Sequence, residues 1–135
     1  VLTGSGRYET PAGLSEHIVD VGFVSEQEKH EAMAGAVAFC HPSANESFGI
    51  VLLEAWLAGT PGLVHAASNV LTDHCRRSNA GLWFRIYFEF EMELLLLLQN
   101  AEFRKAMGAR GRDYVSQNYS WESVEARLDH ALQRL

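Results

Sequence analysis

Short apolar runs alternate with stretches of helical periodicity along the first two thirds of the chain. The runs are VLT at 1–3, HIVDVGF at 17–23, AVAFC at 36–40, GLVHA at 62–66 and GLWFR at 81–85. Brief apolar runs bounded by Gly, Pro, Ser or Asn read as strands of a parallel sheet, and the segments between them as crossover helices. Between the second and third runs lies SEQEKHEAMAGA, in which Ser25 and Glu28 form a capping box for a helix closing near Gly35. After the third run, FGIVLLEAWLAG reads as a helix that stops at Gly59 with Pro61 just beyond. It is apolar almost all round, so it must be covered on most sides.

A shorter helix over 69–77 joins the fourth run to the fifth. From Glu89 onward the strands cease and three helices are predicted: EFEMELLLLLQ, AEFRKAMGARGRDYVSQN, and a last one over 123–135 with Ser120 as its N-cap. In the last, Val124, Leu128, Leu132 and Leu135 recur at spacings of three and four and form an apolar stripe. The five leucines at 94–98 are too few for the roughly 20 residues that span a bilayer and read as the buried side of a helix. Right-handed crossovers place such helices on both faces of the sheet, so the expected class is α/β, a doubly wound, Rossmann-like parallel sheet with extra C-terminal helices. Ligands bind such sheets beyond the carboxyl ends of the strands. The loops GSGRYETPAG, GFVS, HPSANESFG, AASN and RIYFE are therefore where function is sought.

Composition narrows the class. The chain has 135 residues, 47% hydrophobic and 21% charged, enough for one globular domain with a core, and this excludes disorder, collagen and coiled coil. With 11 Lys and Arg against 17 Asp and Glu the net charge is −6, and Arg76 with Arg77 is the longest basic cluster. No basic stripe is present to neutralise phosphates, so no nucleic-acid partner is expected. The opening VLTGSG, without an initiator Met or charged leader, reads as a chain cut from something longer. Of the two cysteines, Cys40 ends an apolar run and is expected to be a buried, inert thiol; no disulfide and a reducing, cytoplasmic setting follow.

The first loop offers Gly4-Ser5-Gly6 after an apolar run, where backbone can approach a ligand closely. Glu9 stands in the place of the third glycine, so the dinucleotide fingerprint is incomplete, and no Walker loop is present. The histidines His17, His30, His41, His65, His74 and His130 lack metal-ligand spacing, and no metal site is expected. His41 and His65 fall at strand ends near the proposed pocket. Arg7 reads as a surface arginine, and Trp121 as a packing residue that anchors the last helix.

The loop after the third run carries more. HPSANESFGIVLLEAWLAGTP holds a turn at Pro42, a carboxylate at Glu46, then Phe48-Gly49 and a helix bearing Glu54. A helix opened by glycine presents unpaired N–H groups and a partial positive charge, a seat for a diphosphate at Gly49, Ile50 and Val51. Glu46 before the seat can accept hydrogen bonds from sugar hydroxyls, and Glu54 beyond it can accept two from a ribose diol. A nucleotide sugar has that layout: hexose, diphosphate, ribose, base.

At these residues the sequence resembles the retaining GT-B glycosyltransferases of family 4, the glycosyl transferases group 1. The resemblance rests on Pro42-Ser43, Glu46, Phe48-Gly49, Glu54-Ala55 and Gly59-Thr60-Pro61, and is extended by VLTGSG, VDVGFVSEQE, RSNAGLWF and NYSWESVEARL. It implies that 1–135 is a nucleotide-sugar (donor) binding domain, the carboxy-terminal half of a GT-B fold lacking its first strand, with the acceptor domain absent. It implies that Glu46 contacts the donor sugar at the reacting centre, that Phe48, Gly49 and Ile50 hold sugar and diphosphate, and that Glu54 binds the ribose. Gly4 and Gly6 match the family's second-strand glycine turn and join the substrate-binding set. It also implies transfer with retention of configuration, no metal and no cofactor, the nucleoside-diphosphate sugar being a substrate. The fragment alone is expected to be inactive.

Three departures stand out. The family's Gly-Arg and Lys-Gly cations, which clamp the diphosphate, would lie upstream of Val1. Only ten residues separate the GSG turn from the next run. Ala66-Ala67-Ser68-Asn69 replaces the family's Gly-Gly and acid. The alternative readings are a sugar phosphorylase or disaccharide synthase of the same fold, or a non-catalytic nucleotide-binding module. The expected partners are a nucleoside-diphosphate sugar, the missing acceptor domain, and further copies of the fragment through exposed apolar surface. The expected location is cytoplasmic, peripheral at the membrane if the acceptor is a lipid.

Overall fold

The structure, a computed structural model, describes residues 1–6 and 8–134. Arg7 and Leu135, the last member of the expected C-terminal stripe, lie outside the described residues. Among the described residues nine elements follow one another: α1 (Glu26–Gly35), β1 (Phe39–His41), α2 (Ile50–Leu57), β2 (Gly62–His65), α3 (Asn69–Ser78), β3 (Gly81–Phe84), α4 (Tyr87–Gln99), α5 (Ala101–Tyr119) and α6 (Trp121–Leu132). The three strands form a parallel sheet in the order β1-β2-β3, with Phe39 opposite Gly62 and Gly62 opposite Gly81. The α/β class and the parallel crossovers are as the sequence predicts.

Local chemistry explains the ends. The Ser25 hydroxyl accepts from the Glu28 N–H, and the Glu28 carboxylate accepts from the Ser25 N–H at 2.8 Å, the reciprocal capping box. Helix α2 is followed by Ala58 and by Gly59 at φ 85°, a left-handed backbone that glycine adopts without strain. Helix α3 opens on Ser68, whose hydroxyl accepts from the Leu71 N–H.

The core gathers on one face of the sheet. Leu52, Leu53 and Trp56 of α2, Val64 of β2, Leu71 and Cys75 of α3, and Tyr114 and Val115 of α5 form one cluster. Trp56 is wholly buried and its indole N–H donates to the Ala80 carbonyl at 3.0 Å. Helix α5 approaches α2 closely because Gly108 and Gly111 lack side chains: a Cβ at Gly108 would run into the Gly59 carbonyl, and one at Gly111 would stand 2.7 Å from Trp56 Cγ. Adjacent strand residues point to opposite faces. Leu63 and Val64 are both fully buried, so both faces of β2 are covered, the second by α4 with its buried Leu97. Helices on both faces are what the doubly wound class requires.

Several expectations are corrected. The runs at 1–3 and 17–23 are not strands of the sheet; one parallel bridge, Leu2 with Asp20, joins them. An isolated pair with exposed side chains such as Val19 and Phe23 has no face to bury and stays short. Between this bridge and the free edge of β1 lies a cavity of about 680 Å³ lined by Leu2, Met33, Phe39, Cys40 and Leu94 among others. Cys40 is exposed rather than buried, because β1 is an edge strand, although neighbouring atoms still push its thiol pKa up by desolvation. Of the leucines at 94–98, Leu97 alone is fully buried while Leu95, Leu96 and Leu98 are exposed. The stripe of α6 faces outward too, with Val124, Leu128 and Leu132 exposed and Trp121 81% exposed, so Trp121 anchors nothing among the described residues. Amphipathic periodicity marks a face that wants a partner; it does not supply one.

Candidate functional site

The loop from β1 to α2 places the acids. The Ser43 hydroxyl donates to the Asn45 carbonyl at 3.1 Å and shapes the turn that follows Pro42. Glu46 folds back onto the strand end, its Oε1 3.2 Å from His41 Nε2, and its side chain is one quarter exposed. Of the two histidines expected near the pocket, His41 thus pairs with a site acid. His65 accepts the Ala67 N–H on Nδ1 at 3.2 Å and stabilises its own loop.

Gly49 then caps α2 with φ 79° and no side-chain cap. Left-handed backbone needs glycine here, and a Cβ would also press on Leu71 Cδ2 at 2.5 Å. Among the described residues, the N–H groups of Gly49, Ile50 and Val51 meet no hydrogen-bond partner. A left-handed residue leading into a helix turns successive N–H groups toward one concavity, and the helix dipole adds partial positive charge. Phe48 and Ile50 flank this opening and are exposed.

Glu54 is one turn beyond Ile50 on the same face of α2, opposite the buried Leu52. Its Oε2 lies 3.0 Å from Lys29 Nζ of α1, and Lys29 also reaches Glu26 at 2.6 Å. Glu26 and then Glu54 push the Lys29 pKa up. Oε2 itself is shielded and is held by its charge pairing with Lys29, while the Glu54 side chain as a whole stays about one third exposed. Carboxylates thus stand on both sides of an uncapped helix start, in the order the sequence predicts.

Gly4 and Gly6 are exposed, and the Gly4 N–H donates to the Gly22 carbonyl at 2.8 Å. That amide is occupied, so what Gly4 offers a ligand is close backbone approach. Among the described residues no three His, Cys, Asp or Glu side chains converge as metal ligands. Among the described residues no helix is long and apolar enough to cross a membrane.

Two residues of the site were not singled out from sequence. Lys29 lies in a run of polar residues, and nothing in its spacing says that α1 turns it toward α2. His74 is buried under the loop: its Nε2 lies 3.0 Å from the Phe48 carbonyl and its Nδ1 3.0 Å from the Tyr114 hydroxyl. A signal for it existed, since Leu71, His74, Cys75 and Ser78 share the buried face of α3 at spacings of three and four.

The sequence profile described as glycosyl transferases group 1 matches residues 9–114. The chain is 28% identical over 98% of its length to the GDP-mannose-dependent monoacylated alpha-(1-6)-phosphatidylinositol monomannoside mannosyltransferase of Corynebacterium glutamicum, covering 38% of that protein. It is 34% identical over 86% of its length to the phosphatidyl-myo-inositol mannosyltransferase of Mycobacterium leprae, covering 31% of it. The chain therefore spans about a third of the length of these curated relatives. Among solved structures, the sucrose-phosphate synthase from Thermosynechococcus elongatus superposes with a TM-score of 0.77 at 21% identity, over 90% of this chain and 31% of that one. At that identity the likeness concerns the fold.

Proposed function

The chain belongs to the glycosyl transferases group 1 family, and we propose that residues 1–135 are the donor-binding part of an enzyme that transfers a sugar from a nucleoside diphosphate to an acceptor with retention of configuration. The reading rests on one observation: Glu46 and Glu54 flank a helix start whose Gly49, Ile50 and Val51 amides meet no hydrogen-bond partner among the described residues.

In this reading the diphosphate sits on those amides, where partial positive charge offsets part of its negative charge without a metal. Glu46, steadied by His41, accepts hydrogen bonds from hydroxyls of the transferred sugar. Glu54, held beside α1 by Lys29, accepts them from the ribose. As the glycosidic bond breaks, charge grows on the leaving diphosphate oxygen, and donors already aimed at it stabilise that change. The same oxygen takes the acceptor's proton on the face from which the group departed, so configuration is retained.

The names of the relatives make GDP-mannose the first donor to test and a mannosylated phosphoinositide lipid the first acceptor. A lipid acceptor brings the enzyme to a membrane surface. Further diphosphate-clamping cations and the acceptor domain are assigned to segments outside residues 1–135, with the family's first strand lying against the free edge of β1. The test is calorimetric titration of the chain with GDP, UDP and ADP, followed by transfer from GDP-mannose when an acceptor domain is supplied. Binding of one diphosphate, with turnover only when both parts are present, is expected. Binding of none of the three overturns the donor role.

A further inference from the structure

The peptide joining Phe48 to Gly49 is gripped from behind. Its carbonyl accepts from His74 Nε2 at 3.0 Å, and a planar trans peptide sends its N–H in the direction opposite to its carbonyl. With the carbonyl turned toward α3, the Gly49 N–H faces away from α3, beside the free amides of Ile50 and Val51. Reversal of this peptide would instead place a carbonyl oxygen at the rim of an anion seat, where it repels a phosphate.

The hydrogen positions follow from the partners. A carbonyl only accepts, so Nε2 must carry the proton and Nδ1 must accept from the Tyr114 hydroxyl. Tyr114 in turn meets the Tyr119 hydroxyl at 3.4 Å. The imidazole is 6% exposed and packed edge-on against Phe48, Trp56, Tyr114 and Tyr119. The groups facing it are Arg77 and Asp73 of its own helix and the two tyrosines of α5. Burial first, then Arg77, lowers its pKa, against the opposing pull of the Phe48 carbonyl and Asp73. A neutral ring with one fixed tautomer is the result.

We propose that His74 is a positioning residue of the donor site: by holding the Phe48 carbonyl it fixes the peptide so that the Gly49 amide faces the diphosphate. The proposal rests on the donor reading above. It deepens that reading by joining the phosphate seat to α3 and α5 through one donor–acceptor chain.

Calorimetry with GDP and with guanosine, which lacks the phosphates, separates the possibilities. His74→Phe keeps an aromatic ring and removes the donor; its GDP affinity is expected to fall about tenfold, the worth of one charge-assisted hydrogen bond, with guanosine unaffected. His74→Gln can put an N–H where Nε2 stands and is expected to remain within about threefold of the original affinity for GDP. GDP affinity unchanged in His74→Phe, equal losses for GDP and guanosine, or Gln no better than Phe would overturn the positioning role while leaving the donor reading intact. No GDP binding by the unaltered chain, with UDP or ADP bound instead, moves the same comparison to that nucleotide; no binding of any overturns both. Nitrogen-15 spectra of the unaltered chain give a readout that does not depend on a variant folding. A neutral ring protonated on Nε2 between pH 7 and 8 supports the proposal, and protonation on Nδ1 overturns it.

Discussion

Lys29 Nζ of α1 stands 3.0 Å from Glu54 Oε2 of α2, and both side chains are largely shielded from water. A carboxylate on an otherwise apolar helix is thereby paired with a cation and held in place by a neighbouring element. The side chain stays about one third exposed, which leaves it reachable by the ribose of the proposed donor. Glu54→Ala is therefore expected to weaken binding of the nucleoside diphosphate by about 1.5–3 kcal/mol, the range for hydrogen bonds to a charged group. Lys29→Met removes only the brace and is expected to cost less. Calorimetric titration of both variants checks the order; unchanged affinity in Glu54→Ala removes it from the ribose role.

Glu46 is assigned beside the reacting carbon, so its charge counts most while the glycosidic bond is breaking. Glu46→Gln keeps the size and loses the charge. Steady-state kinetics of the chain with its acceptor domain should show kcat falling by a larger factor than donor affinity. Equal losses in the two would make Glu46 a binding group alone.

Gly108 is where α5 meets the end of α2, and a Cβ there has the Gly59 carbonyl in its way. Backbone cannot yield as a flexible side chain can, so Gly108→Ala is expected to destabilise the fold by about 1–3 kcal/mol or more, the usual scale of overpacking. Replacing the exposed Ala109, its neighbour, by Ser is the control and should cost little. Urea unfolding of both variants checks this; equal midpoints would mean that the two helices can separate freely.

Glu93 of α4 is partly buried, its Oε2 has no hydrogen-bond partner, and burial followed by the Glu89 charge pushes its pKa from 4.5 to about 7. An acid whose pKa is higher folded than unfolded binds protons more tightly in the native state. Its contribution is fully present below pH 4.5, declines as pH rises toward 7 and is lost above. Glu93→Gln should thus gain stability over the parent chain by about 1–2 kcal/mol on going from pH 4.5 to 8, solvent screening included. His74 acts in the opposite sense: its lowered pKa means that stability is lost as pH falls below 6.5. Thermal melts at pH 4.5 and 8 check the Glu93 effect, and an identical difference at both values refutes it.

Phe88 and Met92 on α4 and Trp121 and Leu128 on α6 are more than half exposed. Apolar faces of this kind favour association. The 135-residue chain alone is expected to self-associate as its concentration rises, and to do so less when an acceptor domain covers such surface. Light scattering over a concentration series checks this, and a strictly monomeric chain throughout counts against it.

Periodicity and capping by themselves determined much of this protein. The helix after Ser25 follows from its reciprocal cap with Glu28, the end of α2 from Gly59, and the parallel strands at 62–65 and 81–84 from apolar runs between turn residues. The order of Glu46, Gly49 and Glu54 along a strand, loop and helix was legible too, because these residues are neighbours in the chain. What sequence could not settle is which face meets which. The leucines at 94–98 read as buried and the last helix carries an apolar stripe, yet an apolar face is buried only when another element lies over it, and among the described residues most of those side chains meet solvent. The runs at 1–3 and 17–23 have strand character but no neighbour to extend them. Lys29 reaches Glu54 across 25 residues and His74 reaches the Phe48 carbonyl across 26. Such contacts are created when α1 and α3 pack against α2 and its loop, so only the tertiary structure could reveal what holds the two ends of the site in place.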